Sequence, residues 1–376
     1  MNPYSIASIA AAETDESKGL VLQEITVTAQ RRDQSLSDVP VSVTALDSAA
    51  IDQLNLTATT DLQMVAPGLT ITYNSAFPLL FIRGVGTDIQ SPGVESSIAV
   101  YIDGIYQSQP ANILKNLNNV ERVEVLRGPQ GTLYGRNATG GALNIITKSP
   151  SAEWQGVVEA GTGDKGLFEV SGFVSGPISD TVRVSLSGQY YDKDGYNFNV
   201  FSGESLGDEN YYSFDASIEA DITENFQVKL LGNYFKRDDT YAIALSEVSG
   251  NSLGAALGFE SRGFNEPRTL SIDVDPAGTF IESYQVAMRA KLSTSLVEVT
   301  SLTSYMDFDM RYRLDFDYSS ATLVHARPNQ YGETFTQEFQ FTPGYETEKL
   351  DWIFGAFFLP TVLGLIHFLV RLPSQA

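Results

Sequence analysis

The sequence has 376 residues, 43% of them hydrophobic, which is enough for two domains of ordinary size with buried cores. Its 24 Lys+Arg stand against 46 Asp+Glu, and the resulting net charge of −22 repels phosphate backbones and excludes a nucleic-acid-binding protein. There is no cysteine, which excludes disulfides, thiolate metal sites and Cys nucleophiles.

The chain opens with small residues, ending in Ala10-Ala11-Ala12 before an acidic stretch. This resembles the cleavage end of a secretory signal peptide that lacks its basic front, so residues 1–21 read as residual signal or tail. Glu24-Ile25-Thr26-Val27-Thr28-Ala29 follows, rich in β-branched residues. Such a segment can add as a strand to the edge of a partner sheet, although it also reads as an ordinary first strand of the next domain.

Residues 35–150 are punctuated by Gly and Pro. Ordered phrases run through them: Asp61-Leu62, then Val65-Ala66-Pro67-Gly68-Leu69, Ile82-Arg83-Gly84-Val85-Gly86 and Tyr101-Ile102-Asp103-Gly104-Ile105-Tyr106. Val120 to Leu126 alternates imperfectly and reads as a strand that stops at Arg127-Gly128-Pro129, ahead of Gln130-Gly131-Thr132-Leu133-Tyr134-Gly135-Arg136 and Gly140-Gly141-Ala142-Leu143-Asn144. The glycines mark sharp reversals. In order and wording these phrases resemble the plug domain of TonB-dependent outer-membrane receptors.

The resemblance implies a plug lodged inside a transmembrane β-barrel of about 22 strands. It implies that Glu24, Ile25, Thr26, Val27, Thr28 and Ala29 form a TonB box, within a box-and-linker segment of residues 22–34. It also makes Arg83, Gly84, Asp103, Gly104, Arg127, Gly128, Pro129, Gly131, Tyr134, Gly135 and Arg136 structural plug residues. The ligand is then expected at the plug apices, on Phe77, Pro78, Leu79, Tyr106, Gln107, Ser108, Gln109 and Asn112, with parts of the long loop 237–283. The expected partners are TonB, outer-membrane lipid and a small-molecule ligand, most often in this family a ferric siderophore, with haem, cobalamin, nickel chelates and oligosaccharides as others. No catalytic residue, resident metal or cofactor is expected. The alternatives are a passive porin, a surface-binding protein or a non-functional fragment of such a receptor.

Beyond residue 150 the pattern changes to period-two alternation, as in Val182, Val184, Leu186, Gly188 and Tyr190 interleaved with Arg183, Ser185, Ser187 and Gln189. Strands are predicted at 154–161, 167–175, 182–191, 211–220, 226–236, 284–292, 296–308, 333–342 and 350–358. Short and long connections alternate between most of them, the asymmetry of outer-membrane barrels. The fold class is therefore membrane all-β: an incomplete antiparallel barrel over 151–358 of about nine strands, behind an α+β plug over 35–150. The segment Trp352 to Leu372 is the one apolar run near the roughly 20 residues a membrane helix needs, and Pro360 breaks it. From Leu359 to Ala376 alternation is lost, and these residues read as an aberrant tail.

Other motifs are decoys. Gly161 to Gly166 fits G-x-G-x-x-G but precedes a strand instead of a helix, so it reads as a hairpin turn. Gly250-Asn251-Ser252-Leu253-Gly254 fits a hydrolase motif, yet no strand leads into it and no base motif supports it. His325 reads as a polar loop residue, with a ligand role as the sharper alternative. Asp238-Asp239, Asp307, Asp309, Asp315 and Asp317 read as solvated loop charge.

Overall fold

The computed structural model describes residues 7–8 and 26–363, apart from 30, 33, 75–76, 89–95, 109–116, 136, 241–255, 260–267, 274–277, 316, 318, 328 and 346–351. The first strands are β1 (Ala7–Ser8), β2 (Thr26–Val27), β3 (Gln34–Ser35) and β4 (Val43–Asp47). Helix α1 (Ser48–Gln53) starts at Asp47, whose side chain accepts a hydrogen bond from the Ala50 amide at 2.8 Å, as a helix N-terminus requires. Then come β5 (Leu69–Asn74), β6 (Phe77–Ile82), β7 (Val85–Gly86), β8 (Ile98–Ile102), β9 (Ile105–Tyr106), β10 (Val120–Arg127), α2 (Gly131–Tyr134) and β11 (Gly141–Thr147).

The plug is built on a sheet in the order β4-β10-β11-β8-β9, with β11 and β8 parallel and the other pairs antiparallel. The sequence explains its two tight hairpins. Arg83 and Gly84 (φ 53° and 77°) join β6 to β7, and Asp103 and Gly104 (φ 52° and 83°) join β8 to β9. Positive φ at both central residues is the turn geometry that matches strand twist, and a residue-plus-Gly pair supplies it cheaply. The core beneath packs Ile51, Leu62, Ile82, Val123, Leu143 and Ile145. Strand β10 is buried over Val123, Glu124, Val125 and Leu126. Its imperfect alternation thus reflects a strand covered on both faces.

The second region comprises β12 (Gln155–Thr162), β13 (Phe168–Ser179), β14 (Val182–Lys193), β15 (Asn197–Asn199), β16 (Glu204–Leu206), β17 (Glu209–Thr223), β18 (Phe226–Asp239), β19 (Thr269–Leu270), β20 (Gly278–Ser293), β21 (Val297–Asp315), β22 (His325–Ala326), β23 (Asn329–Pro343), β24 (Phe354–Phe358) and β25 (Thr361–Leu363). A large sheet runs in the order β1-β12-β13-β14-β17-β18-β20-β21-β23-β24, with β22 also on β21 and β25 on β23, while β15, β16 and β19 form a separate small sheet. The two ends of the large path are not paired with each other among the described residues.

Burial runs opposite to that of a water-soluble sheet. On β14, Leu186 is 56% exposed while its neighbours Ser185 and Ser187 are 2% and 7% exposed. Phe214, Ile218, Leu230, Val286 and Phe339 also face outward, whereas Ser213, Ser217, Gln285 and Ser304 face the plug. An apolar exterior around a polar lumen is what hydrocarbon on one side and hydrated protein on the other select. No described helix is long and apolar enough to cross a membrane, which has no bearing on crossing by strands.

The structure corrects several boundaries. β21 runs to Asp315 and β20 begins at Gly278, well past the 296–308 and 284–292 expected. In the added stretch of β21 alternation continues, but there the apolar residues Met310, Tyr312 and Leu314 are the buried ones. The last expected strand starts at Phe354, and Thr361–Leu363 pairs with Gly332 to Thr334, inside the segment read as tail. Ala7–Ser8, read as signal remnant, pairs with Ala160 and Glu159. Gly161 to Gly166 is a hairpin turn, with Gly163 N donating to Leu167 O at 3.0 Å. Gly250 to Gly254 lies outside the described residues.

The burial pattern makes a direct prediction. In lipid bilayers, Leu186→Arg should destabilise the wall by about 2 to 4 kcal/mol, read as a lowered urea midpoint, whereas Leu186→Val should leave it nearly unchanged.

Candidate functional site

The N-terminal segment that sequence reasoning marked for strand addition is docked against the plug. Val27 and Ala29 are fully buried and pack with Ala99, Tyr101, Leu126 and Tyr134. The polar groups of Thr28 converge on Glu124, whose side chain is 0% exposed. Its Oε1 accepts from Thr28 N at 2.7 Å, Thr28 Oγ1 at 3.0 Å and Arg122 Nε at 2.9 Å, while Oε2 accepts from Asn144 Nδ2 at 3.1 Å. Asn144 Nδ2 also donates to Thr28 Oγ1 at 2.9 Å. A buried carboxylate is tolerable only with such partners, so Glu124 ties two strands, β10 and β11, and the segment into one unit.

Arg31 closes the docked segment. With φ at 62°, it turns the chain, and its N–H donates to Thr28 O at 2.8 Å. Its guanidinium lies 4.4 Å from the centre of the Tyr101 ring and 4.8 Å from that of Tyr134, a cation–π sandwich. Nε donates to Leu133 O at 3.1 Å and Nη1 stands 3.6 Å from Glu338 Oε1, while Gln340 Nε2 donates to Arg31 O at 2.6 Å. Glu338 and Gln340 belong to wall strand β23, so the segment is clasped between plug and wall. Burial, only partly offset by Arg31, pushes the Tyr101 phenol up to about 12 and also raises that of Tyr134. Both therefore stay protonated and donate, Tyr101 to Tyr134 O at 2.6 Å and Tyr134 to Thr28 O at 3.2 Å. A cavity of about 440 Å³ beside them is lined by Arg31, Tyr101, Tyr106, Glu338 and Ile353.

The expected ligand residues among those described lie at the start of β6 and at or beside β9. Phe77 begins β6 opposite Asn74, and Pro78 and Leu79 are buried. Tyr106 is 7% exposed; its hydroxyl accepts from Asn137 Nδ2 at 2.6 Å and its ring centre is 5.6 Å from that of Tyr101. Gln107, 6% exposed, donates to Ile105 O at 3.1 Å and to Gln285 Oε1 on the wall at 3.4 Å. Ser108 and Thr334 share a hydroxyl hydrogen bond at 3.1 Å. Gln107 and Ser108 thus join plug to wall, because the polar lumen offers them partners, while Tyr106 is held within the plug. Gln109, Asn112, Arg136, Glu24 and Ile25 lie outside the described residues.

The structural motif residues hold turns and seams. The Asp103 carboxylate accepts from Thr147 N at 2.9 Å and Thr147 Oγ1 at 2.8 Å, and its carbonyl accepts from Arg289 Nη2. Arg127 donates to Pro67 O at 3.1 Å and Ser42 Oγ at 3.0 Å, and Arg83 to Ser42 Oγ at 3.4 Å. Gly128 and Gly135 have φ of 88° and 71°, and Pro129 and Gly131 are exposed at the entry to α2. Sequence reasoning missed Glu124, Arg31 and Glu338. The one available signal was Glu124 itself, a charge within an otherwise apolar run.

A wall of long strands, greasy outside and polar within, packed against a mixed plug whose N-terminal segment is clasped at the seam, defines a plugged outer-membrane β-barrel protein. The chain matches the TonB-dependent Receptor Plug Domain over residues 35–142. It is 35% identical over 199 residues to the pesticin receptor of Yersinia enterocolitica, covering 51% of this chain and 28% of that protein. It is 24% identical over 329 residues to the vitamin B12 transporter BtuB of Vibrio vulnificus, covering 82% of this chain and 52% of that protein. Among solved structures, the ferric yersiniabactin uptake receptor FyuA of Yersinia pestis shares the fold with a TM-score of 0.73 and 22% identity, over 86% of this chain and 49% of that one. The chain thus spans about half or less of the length of these relatives.

Removing the buried acceptor should undock the segment. Glu124→Ala should cost roughly 3 to 5 kcal/mol at that joint and expose residues 26–31, seen as faster proteolysis or as narrowed spectra of a spin label at Thr26. Glu338→Ala, which removes only the wall contact, should have a smaller effect of the same sign.

Proposed function

We propose that the chain supplies the energy-coupling part of an importer that takes up a scarce, large ligand, above all a ferric siderophore, by TonB-driven remodelling of the plug. The observation that carries this reading is the docked segment 26–31, held by one buried carboxylate and one clasping arginine between plug and wall. An outer membrane has neither a nucleotide supply nor a sustained ion gradient, so uptake against a gradient needs mechanical work delivered through a protein link. A short extended segment at the plug seam is a suitable handle. The names of relatives and fold neighbours support the ligand class, since they include receptors for ferric yersiniabactin and ferric catecholates.

In this reading Glu24 to Ala29 is the TonB-binding strand. Val27 is 0% exposed, so strand addition requires the segment first to leave its seat. Ligand contact is assigned to the apex, with Tyr106, Gln107 and Ser108 as its inner residues and Phe77, Pro78, Leu79, Gln109 and Asn112 alongside. Tyr106 touches Tyr101, which in turn carries Arg31, so displacement at the apex bears on the clasp.

The test is binding of the isolated TonB C-terminal domain to the chain in detergent. Val27→Pro removes a main-chain donor and should weaken binding roughly tenfold or more, whereas Glu124→Ala should strengthen it by freeing the segment. Unchanged affinity in Val27→Pro would remove the strand assignment. Tyr106→Ala with Gln107→Ala should lower energy-dependent uptake of iron chelate in a receptor that assembles normally, checked by its level in the outer membrane.

A further inference from the structure

The end of the wall holds a cluster that the import reading does not use. β19 pairs in parallel with β15, and beyond it Asn199 grips the next backbone unit. Its Nδ2 donates to Ile272 O at 2.8 Å and its Oδ1 accepts from Ile272 N at 3.1 Å. That grip fixes Asp273. Asp315, the last residue of β21, lies directly opposite His325 in β22. One oxygen each from Asp273 and Asp315 and one ring nitrogen of His325 lie within 4.8 Å of one another. The site is enclosed: the side chains of His325 and Asp273 are 10% and 4% exposed, and Asp315 is 6% exposed. This corrects the reading of Asp315, Asp317 and His325 as solvated loop groups. Asp239, from the other acidic group, is likewise buried beside Arg237, whereas Asp238 is exposed as expected.

The frame around the cluster is set before any ion arrives. Asp317 accepts from Leu323 N at 3.3 Å and Val324 N at 2.9 Å and takes the Ser319 hydroxyl, which locks the turn that returns the chain to His325. Asp315 accepts from Asp317 N at 2.8 Å and Asp273 N at 3.3 Å. The Thr322 hydroxyl donates to Asp273 Oδ2, which leaves Oδ1 directed at His325 Nε2. A carboxylate oriented by an outer hydrogen bond is a common feature of metal ligands.

We propose that Asp273, Asp315 and His325 bind one first-row divalent cation of the zinc type, which staples the small β15-β16-β19 sheet to the end of the wall. Charge is the first reason. Two enclosed carboxylates and one imidazole meet at one point, and a divalent cation is the ligand whose charge matches the two carboxylates together. Donor chemistry is the second. One imidazole nitrogen with two carboxylate oxygens suits zinc, cobalt or nickel, while calcium and magnesium favour all-oxygen shells. Distance is the third. Ligands at about 2.0 to 2.2 Å from a tetrahedral ion sit roughly 3.4 Å apart, so Asp273 Oδ1 and His325 Nε2, in direct contact without an ion, part slightly to admit it, with Asp315 completing the three ligands and the fourth position left for water. The proposal stands whether or not the import reading holds, because it concerns a resident structural ion.

The test uses the full chain in detergent, stripped with a chelator and desalted after addition of zinc chloride, with metal content read by atomic emission. Wild type should retain one equivalent, and cobalt(II) in its place should give visible absorption bands of low-symmetry coordination. His325→Gln and Asp273→Asn should each weaken retention at least tenfold with an unchanged far-ultraviolet circular dichroism spectrum, while His367→Gln and Asp238→Asn should retain the ion. No retained equivalent in wild type overturns the proposal. Equal retention in His325→Gln, or displacement of zinc by equimolar calcium, overturns it as well, since either outcome assigns the binding to acidic surface alone.

Discussion

In the hydrocarbon of a bilayer there is no water to satisfy a peptide group, so each N–H and C=O of a spanning segment needs a protein partner. The wall meets this demand by strand-to-strand pairing over long registers, sixteen pairs between β20 and β21 and fifteen between β21 and β23. Once the backbone is committed to a sheet with lipid on one face, side chains must alternate between lipid and lumen. The polar lumen then determines what the plug must present. Many of its contacts with the wall are amides, hydroxyls and a few charges, as in Gln107 with Gln285, Ser108 with Thr334 and Lys148 near Phe173, beside an apolar contact of Ile105 with Ala287 and Leu302.

Within the plug the controlling group is Glu124. It sits on a strand covered on both faces, where an unpaired carboxylate would be severely destabilising, and every partner it recruits serves another purpose. Arg122 is on its own strand, Asn144 on the adjacent one, and Thr28 on the incoming segment. The segment is therefore held by the needs of a buried charge in addition to the apolar packing of Val27 and Ala29. Such a joint is strong when intact and fails abruptly when one donor is withdrawn, unlike an apolar contact that weakens in proportion to area.

The sequence revealed the wall well because period two is a strong signal when one face meets lipid: Leu186, Gly188 and Tyr190 against Ser185, Ser187 and Gln189 define β14 almost to the residue. It was less informative at the strand ends, where the apolar side of the alternation is the buried one, as with Met310, Tyr312 and Leu314. The plug phrases were legible as turns because the residue-plus-Gly pairs at Arg83-Gly84 and Asp103-Gly104 have a specific backbone meaning. The burial of Tyr106 and Gln107 was not, since whether an apex side chain faces open lumen or a wall residue depends on Gln285, nearly two hundred residues away. Asp273, Asp315 and His325 were hidden for the same reason: 42 and 52 residues separate Asp273 from its partners.

The hydrogen bonds of Gln107 and Ser108 to the wall are neutral, and each connects a single amide or hydroxyl to a group that water can serve equally well. Exchanging such a bond for one to water changes the free energy by only about 1 kcal/mol. Apolar packing of the same extent would instead expose greasy surface along its whole length on separation. At Gln107 and Ser108 the seam between plug and wall is therefore held like a wet bearing, by contacts that can each be exchanged for water one at a time.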